Sequence, residues 1–214
     1  TPPCADALIA AGLSRAVVAM EDPDPHVAGR GLLRLKDAGV EVELGPGAEI
    51  VRKQLAPYIK HRTLGRPWVI CKWAQTADGY LAMPPESGRW VSGEESRLLV
   101  HRMRGWIDGI CVGVGTVLAD DPLLTNRGQE GKQPTRVVLD SRLRTPLDCQ
   151  LVRTAREAPV LLATTPEAMD ARAEHADALR QAGVELLDLP RWETGVHLES
   201  LLDLLGLRQW TYLM

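Results

Sequence analysis

The chain has 214 residues, 45% of them apolar and 25% charged, and a formal charge of −3 from 25 basic and 28 acidic side chains. That balance supports one sizeable core or two small ones and excludes a disordered, collagen-like or coiled-coil chain. It also excludes a basic footprint for nucleic acid, and no apolar run approaches the ~20 residues that a membrane helix needs.

Strands and helices are predicted to alternate throughout. A helix over 5–11 ends at Gly12, and 15–20 is a short apolar strand. A helix over 27–38 turns Leu32, Leu33 and Leu35 inward and stops at Gly39, and a strand follows over 40–44. The spacing of Ile50, Val51, Leu55 and Ile59 predicts one helix over 48–61. Helices ending near glycine, each followed shortly by a strand, are the pattern of βαβ units and a mainly parallel sheet. Thr63-Leu64-Gly65-Arg66-Pro67 breaks that pattern and marks a domain boundary. Beyond it, strands are predicted over 68–74, 107–114, 136–139, 159–163 and 184–189. The run 107–114 is almost continuously apolar, as in a strand buried on both faces. Ser92-Gly93-Glu94-Glu95 reads as a capping box opening a helix that runs to about Gly105. Further helices are predicted over 166–182 and 197–205.

The four cysteines, Cys4, Cys71, Cys111 and Cys149, are widely spread and form no C-x-x-C pair. Cys71 and Cys111 fall inside apolar runs, so buried thiols are expected rather than a disulfide framework. No signal-peptide pattern opens the chain, and a soluble, cytoplasmic protein is expected. The chain begins at Thr1 and closes on the apolar, β-type run from Gln209 to Met214 without a turn residue, so a fragment of a longer polypeptide is expected.

Several segments carry possible chemistry. Cys4 stands at a helix start, where the free N–H groups favour the metal-binding thiolate, although such a residue also serves in packing. The stretch from Glu21 to Gly31 follows a strand at its C-terminal end, where open α/β sheets bind ligands. It reads either as a substrate loop or as a capped strand-to-helix connection. Lys72 lies in an apolar run and needs a partner or an anion. Arg97, His101 and Arg104 follow at spacings of four and three on one helix face, which is either solvated or anion-facing. Gly113-Val114-Gly115-Thr116 begins like a dinucleotide turn, but Leu118 stands at the third glycine position and the Rossmann fingerprint fails. The two glycines still let a phosphate or a nicotinamide approach the backbone. Asp120 and Asp121, adjacent on a short turn, are expected to diverge, one capping and one exposed. Arg127 is suited to a bidentate grip on phosphate, or is a surface arginine. His61, His175 and His197 carry no site signal, and neither H-E-x-x-H nor G-x-S-x-G occurs.

Together these segments resemble the bifunctional riboflavin-biosynthesis family, a pyrimidine deaminase fused to a reductase. Thr1-Pro2-Pro3-Cys4, Asp22-Pro23-Asp24-Pro25 and Val27-Ala28-Gly29-Arg30-Gly31 resemble the end of its zinc deaminase domain. Lys72-Trp73-Ala74, Asp78-Gly79 and Arg89-Trp90-Val91-Ser92 resemble the opening of its reductase. The run from Gly113 to Arg127 is the most specific part, and Arg136-Val137-Val138-Leu139-Asp140-Ser141 completes it. The resemblance implies an α/β chain. Residues 1–62 would be the C-terminal part of a cytidine-deaminase-like domain and 63–66 a linker. Residues 67–214 would be a dihydrofolate-reductase-like, NADPH-dependent domain with a mainly parallel sheet. It implies Cys4 as the last zinc ligand, and Ala74, Trp90, Thr116, Asp120 and Ser141 as contacts to NADPH. Arg104, Leu124 and Arg127, with Gly88, would hold a phosphoribosylaminopyrimidine substrate; Asp120 is also a candidate catalytic residue. At Gly88 the family usually carries serine, and here Ser87 is displaced by one. The partners implied are these small molecules and further copies of the chain, with no nucleic acid and no membrane. A single-function NADPH reductase and a non-catalytic, nucleotide-binding remnant are the other readings.

Overall fold

The computed structural model describes residues 4–81, 90–193 and 195–214. The chain divides into two compact units, Thr1–Trp68 and Val69–Met214. In the first, α1 (Cys4–Ala10), β1 (Arg15–Val18), α2 (Arg30–Asp37), β2 (Glu41–Leu44), α3 (Ala48–Gln54) and α4 (Ala56–Leu64) follow in order. β1 and β2 pair in parallel, Arg15 opposite Glu41. Their core is small: Ala5, Leu35 and Val40 are buried, with Ile9, Ala16 and Val42 against them. Of the leucines expected to point inward on α2, only Leu35 is buried and Leu33 is 61% exposed. A two-stranded sheet covers one stripe of a helix and no more. The helix predicted over 48–61 breaks at Leu55, because Pro57 offers no N–H to a continuing helix and opens α4 instead.

The acidic connection before α2 works as a capped turn. Asp22 Oδ1 accepts the Asp24 N–H at 2.9 Å and the Tyr58 hydroxyl at 3.0 Å. The buried Asp24 accepts the His26 N–H at 2.9 Å and pairs with Arg62 at 3.2 Å. These carboxylates are occupied with holding the chain.

β3 (Trp68–Val69) straddles the division, and α5 (Glu94–Arg104), β4 (Gly109–Gly113), α6 (Val114–Asp120), β5 (Thr135–Leu139), α7 (Gln150–Arg153) and β6 (Val160–Thr164) follow. Then come α8 (Pro166–Ala171), α9 (Ala173–Ala182), β7 (Glu185–Asp188), β8 (Arg191–Trp192), β9 (Gly195–Val196), α10 (Leu198–Leu207) and β10 (Tyr212–Leu213). Six strands form one sheet in the order β3-β10-β4-β5-β6-β7, and the ladders from β10 through β7 are all parallel. β8 and β9 make a short antiparallel pair. Alternate strand residues feed two cores, one on each face of the sheet. Ile110, Val138 and Leu162 pack with Val117, Leu151 and Leu179, whereas Val137, Leu161 and Ala163 pack with Leu201 and Leu205. All five residues of β6 are buried, as a strand between two helical layers requires.

Several local expectations give way to tertiary structure. The strand predicted over 68–74 is only Trp68–Val69, and Cys71 and Lys72 beyond it are exposed. Cys111 is half-buried and its thiol is pushed up to about 12 by burial; all four cysteines are free. Ser92 does not cap α5. Gly93 is the cap residue, and the Ser92 carbonyl accepts the Arg97 guanidinium at 2.5 Å. The helix predicted over 166–182 breaks at Arg172, whose guanidinium bonds the Leu143 carbonyl at 2.5 Å. The His175 Nε2 lies 2.9 Å from the Thr145 carbonyl oxygen.

The apolar run at the end of the chain becomes β10 and enters the sheet between β3 and β4. Asp108 fastens it there: its Oδ2 accepts the N–H groups of Thr211 at 2.7 Å and Tyr212 at 2.8 Å, and the Thr211 hydroxyl at 3.1 Å. Its Oδ1 meets Lys132 at 2.5 Å. The Trp210 ring lies over Gly109, where a Cβ would stand 2.3 Å from it. Burial alone would raise the Asp108 pKa, but the Lys132 hydrogen bond, the two N–H donors and the Lys132 charge outweigh it, and the net direction is downward. A carboxyl whose pKa is lowered by folding stabilises the fold fully above the ordinary value of about 3.9 and loses that contribution as pH falls through the folded value. Asp108→Asn is expected to lower the melting temperature by about 4–8 °C at neutral pH, from the loss of about 2 kcal/mol. The gap to the wild type should close as pH falls below the ordinary carboxylate value of about 3.9. A gap independent of pH would mean that the carboxylate charge is not what holds β10.

Candidate functional site

β4 and β5 end side by side, Gly113 opposite Leu139, and the chain leaves this edge in two directions. After β4 the helix α6 starts at once, so Val114 to Thr116 are helical and not the strand end expected from sequence. Thr116 and Asp120 are both exposed on α6, and an added Cβ at Gly113 or Gly115 would meet nothing within 4 Å. After β5 come Asp140 and Ser141. Asp140 is 1% exposed, and its Oδ2 accepts the Thr145 N–H at 2.7 Å and hydroxyl at 2.8 Å. Asp140 Oδ1 and the Thr164 Oγ1 at the end of the adjacent β6 are buried without hydrogen-bond partners. Ser141 is half-buried, and its carbonyl accepts the Thr165 hydroxyl at 3.4 Å.

The loop after α6 is strained and tightly held. Asp121, Leu124 and Arg127 have positive φ of 41°, 56° and 52°. Each such residue costs roughly 1–3 kcal/mol and persists only where its surroundings impose it. Asp121 Oδ1 accepts the Gln150 N–H at 2.7 Å, and the Gln150 amide bonds the Asp121 carbonyl. Asp121 thus bonds the first N–H of α7, while both aspartates are exposed, so exposure does not separate them as expected. The Leu123 carbonyl accepts Arg136 at 3.3 Å, and the Thr125 carbonyl accepts Arg104 at 3.0 Å. Asn126 is 2% exposed and fully engaged: its Nδ2 donates to the Gln129 carbonyl at 2.9 Å, and its Oδ1 accepts the Gly128 N–H at 3.1 Å and the Gln133 amide at 2.5 Å. Sequence reasoning gave no individual role to Asn126, Gln133, Arg136, Asp140 or Thr164. Only Asp140, polar at the end of an apolar strand, carried a local signal.

This loop meets the basic face of α5. The Arg104 guanidinium is drawn down to about 10, first by burial and then by the neighbouring Arg127. His101 is shifted downward by burial, then by Arg104, Arg127 and Arg97. Arg97 lies over the Trp90 ring at 4.9 Å from its centroid. Among the described residues none of these three arginines forms an ion pair, and Arg104 Nε and His101 Nδ1 are buried without partners. Cations gathered in this way can accept an anion between them.

The other expected site residues fall as follows. Trp90 is 53% exposed before α5, and Ala74 is half-buried in the irregular stretch after β3. Leu124 is 7% exposed and packs in the core, which leaves its backbone to meet a ligand. Gly88 lies outside the described residues. Cys4 is exposed at the start of α1, and among the described residues no group of three or more His, Cys, Asp or Glu could hold a metal ion. A zinc site is therefore not assembled by them. A nucleotide cofactor fits better: the sheet edge offers bare backbone at Gly113 and Gly115, the Thr116 hydroxyl, and two buried oxygens awaiting donors or acceptors. No helix among the described residues is long and apolar enough to cross a membrane.

Comparison with known proteins gives a consistent result. The family described as "RibD C-terminal domain" matches residues 67–214. The chain is 41% identical over 206 residues to the riboflavin biosynthesis protein RibD of Actinobacillus pleuropneumoniae, covering 96% of this chain and 54% of that protein. It is 40% identical over 190 residues to RibD of Aquifex aeolicus, covering 88% and 52%. It thus spans about half the length of these curated relatives. Among solved structures, Acinetobacter baumannii RibD superposes with a TM-score of 0.77 at 33% identity, over 100% of this chain and 57% of that one. The Thermotoga maritima diaminohydroxyphosphoribosylaminopyrimidine deaminase/5-amino-6-(5-phosphoribosylamino)uracil reductase does so at 0.79 and 32%, over 100% and 56%.

Proposed function

The chain belongs to the RibD C-terminal domain family, and from that premise we propose that residues 67–214 are the reductase domain of a riboflavin-biosynthesis enzyme. Its substrate is 5-amino-6-(5-phosphoribosylamino)uracil, reduced to the ribitylamino compound with NADPH. The observation that carries this reading is the pairing of a half-buried Arg104 and its neighbour Arg127, neither in an ion pair among the described residues, with unobstructed glycines at the end of β4 and the start of α6. Such a pair suits a substrate that bears a phosphate at one end and must present a sugar carbon to a cofactor at the other.

NADPH, when bound, supplies the hydride. The work of this chain is positional. Arg104 and Arg127 hold the phosphate, with the Leu124 backbone beside them, and the imposed left-handed turns of the loop keep Arg127 facing Arg104. Ala74, Trp90, Thr116 and Ser141 are assigned to the cofactor, and Asp120 to orienting it or polarising the sugar. Preorganisation of this kind lowers the entropic part of the barrier. Residues 1–62 are proposed as the C-terminal part of a deaminase domain and 63–66 as the linker. In the whole protein that domain would deaminate 2,5-diamino-6-(5-phosphoribosylamino)pyrimidin-4-one; no step through zinc is derived from Cys4 alone. Self-association is part of the proposal.

The test is NADPH oxidation with the phosphorylated uracil as substrate. The chain is expected to oxidise NADPH with formation of the ribitylamino product, and Asp120→Ala to lower turnover by at least about tenfold. Failure to oxidise NADPH with this substrate would overturn the reductase reading, and unchanged turnover in Asp120→Ala would remove Asp120 from it.

A further inference from the structure

We infer that His101 is the proton-coupled member of the anion site, taking a proton from solvent when a doubly charged phosphate monoester binds between Arg104 and Arg127. The inference rests on the anion-site reading above and deepens it.

His101 stands one turn before Arg104 and one turn after Arg97 on the same face of α5. Arg104 is tied through the Thr125 carbonyl to the loop that carries Arg127, so the histidine faces cations from its own helix and from that loop. The charges bearing on it are Arg104, Arg127 and Arg97, and none of them is a carboxylate. Among the described residues its Nδ1 is buried and has no hydrogen-bond partner. A ring so placed resists protonation in the empty site, with one nitrogen left over.

An arriving dianion reverses the local field. Two negative charges among the arginines turn net repulsion of an imidazolium into attraction, and the unbonded nitrogen gains an acceptor. The pKa of the ring then rises on binding. By linkage, binding takes up a proton, and affinity falls as pH rises between the empty and the occupied pKa values. A singly charged carboxylate or phosphodiester reverses the field less and couples less. Protonation would thus favour the phosphate monoester end of the substrate over other anions.

Sulfate is the appropriate probe, because it stays doubly charged where a phosphate monoester itself titrates near pH 6. Sulfate affinity of the wild-type chain is expected to weaken by up to about tenfold per pH unit between about pH 6 and 8. Calorimetry in buffers of different ionisation enthalpy should count a proton taken up, and His101→Asn should flatten the profile. Sulfate binding that is abolished by Arg104→Gln but independent of pH in the wild type would overturn the role of His101 and leave the anion site standing. A slope that persists in His101→Asn would do the same. No sulfate binding at any pH would overturn the anion site itself, and this inference with it.

Discussion

Arg136→Ala is expected to destabilise the second unit by about 3–5 kcal/mol, read as a fall in the urea midpoint at unchanged slope. Arg136 is in β5 and 0% exposed, the largest fully buried side chain among the described residues. Among the described residues no carboxylate pairs with it. Its guanidinium instead donates to the Thr154 hydroxyl at 2.7 Å, the Thr154 carbonyl at 2.9 Å, the Ala158 carbonyl, and the Leu123 carbonyl at 3.3 Å. One side chain therefore ties the central strand to the end of α7, to the turn before β6 and to the loop of the anion site. Burial lowers its pKa, against the opposing pull of Cys149 and Glu157. Truncation removes the donors and leaves a cavity. Arg136→Met refills much of the volume but not the donors, and should recover only part of the loss. A methionine variant as stable as the wild type would show that these carbonyls do not need the guanidinium.

Arg127→Asn is expected to raise KM for the phosphorylated substrate by about tenfold to hundredfold while changing kcat much less. Asparagine is the useful replacement because Arg127 has a φ of 52°, a left-handed conformation that asparagine tolerates and alanine does not. The substitution then removes the cation without moving the loop. A ligand that only gains from the charge, equally in ground and transition state, shows the loss in KM. The same substrate without its phosphate should be turned over alike by both proteins. An equal KM penalty on that compound would place Arg127 away from the phosphate and reassign the site.

How much of this was legible in the sequence can be argued from particular residues. The alternation of apolar runs with glycine-ended helices was sufficient for a mainly parallel α/β chain, because side-chain periodicity and capping are local properties. The same local logic failed where tertiary contacts compete. Pro57 split one predicted helix, and the break at Arg172 split another. Ser92 lost its cap role to Gly93 while its carbonyl served Arg97. The strand predicted over 68–74 kept only two residues.

For the site, the sequence singled out the motif from Gly113 to Arg127 and one face of α5 with Arg97, His101 and Arg104, which the structure brings near one another. Whether that face is solvated or anion-facing was not legible. A basic face is solvated or anion-facing according to what lies opposite, and Arg127 comes opposite Arg104 through a loop whose turns depend on Asn126, Gln133, Gln150 and Arg136. Nothing about Arg136 in an apolar strand announces that it serves a loop thirteen residues earlier.

By itself, then, the sequence determined the class of fold and the family, since each is written in local spacing or in residue type. Only the tertiary structure decided that β10 inserts beside β4 under the grip of Asp108, that Asp121 bonds the start of α7, and that burial and three arginines lower the pKa of His101. These depend on burial and on contacts between residues far apart in the chain. Burial and long-range contact set the energies of buried charges and strained turns.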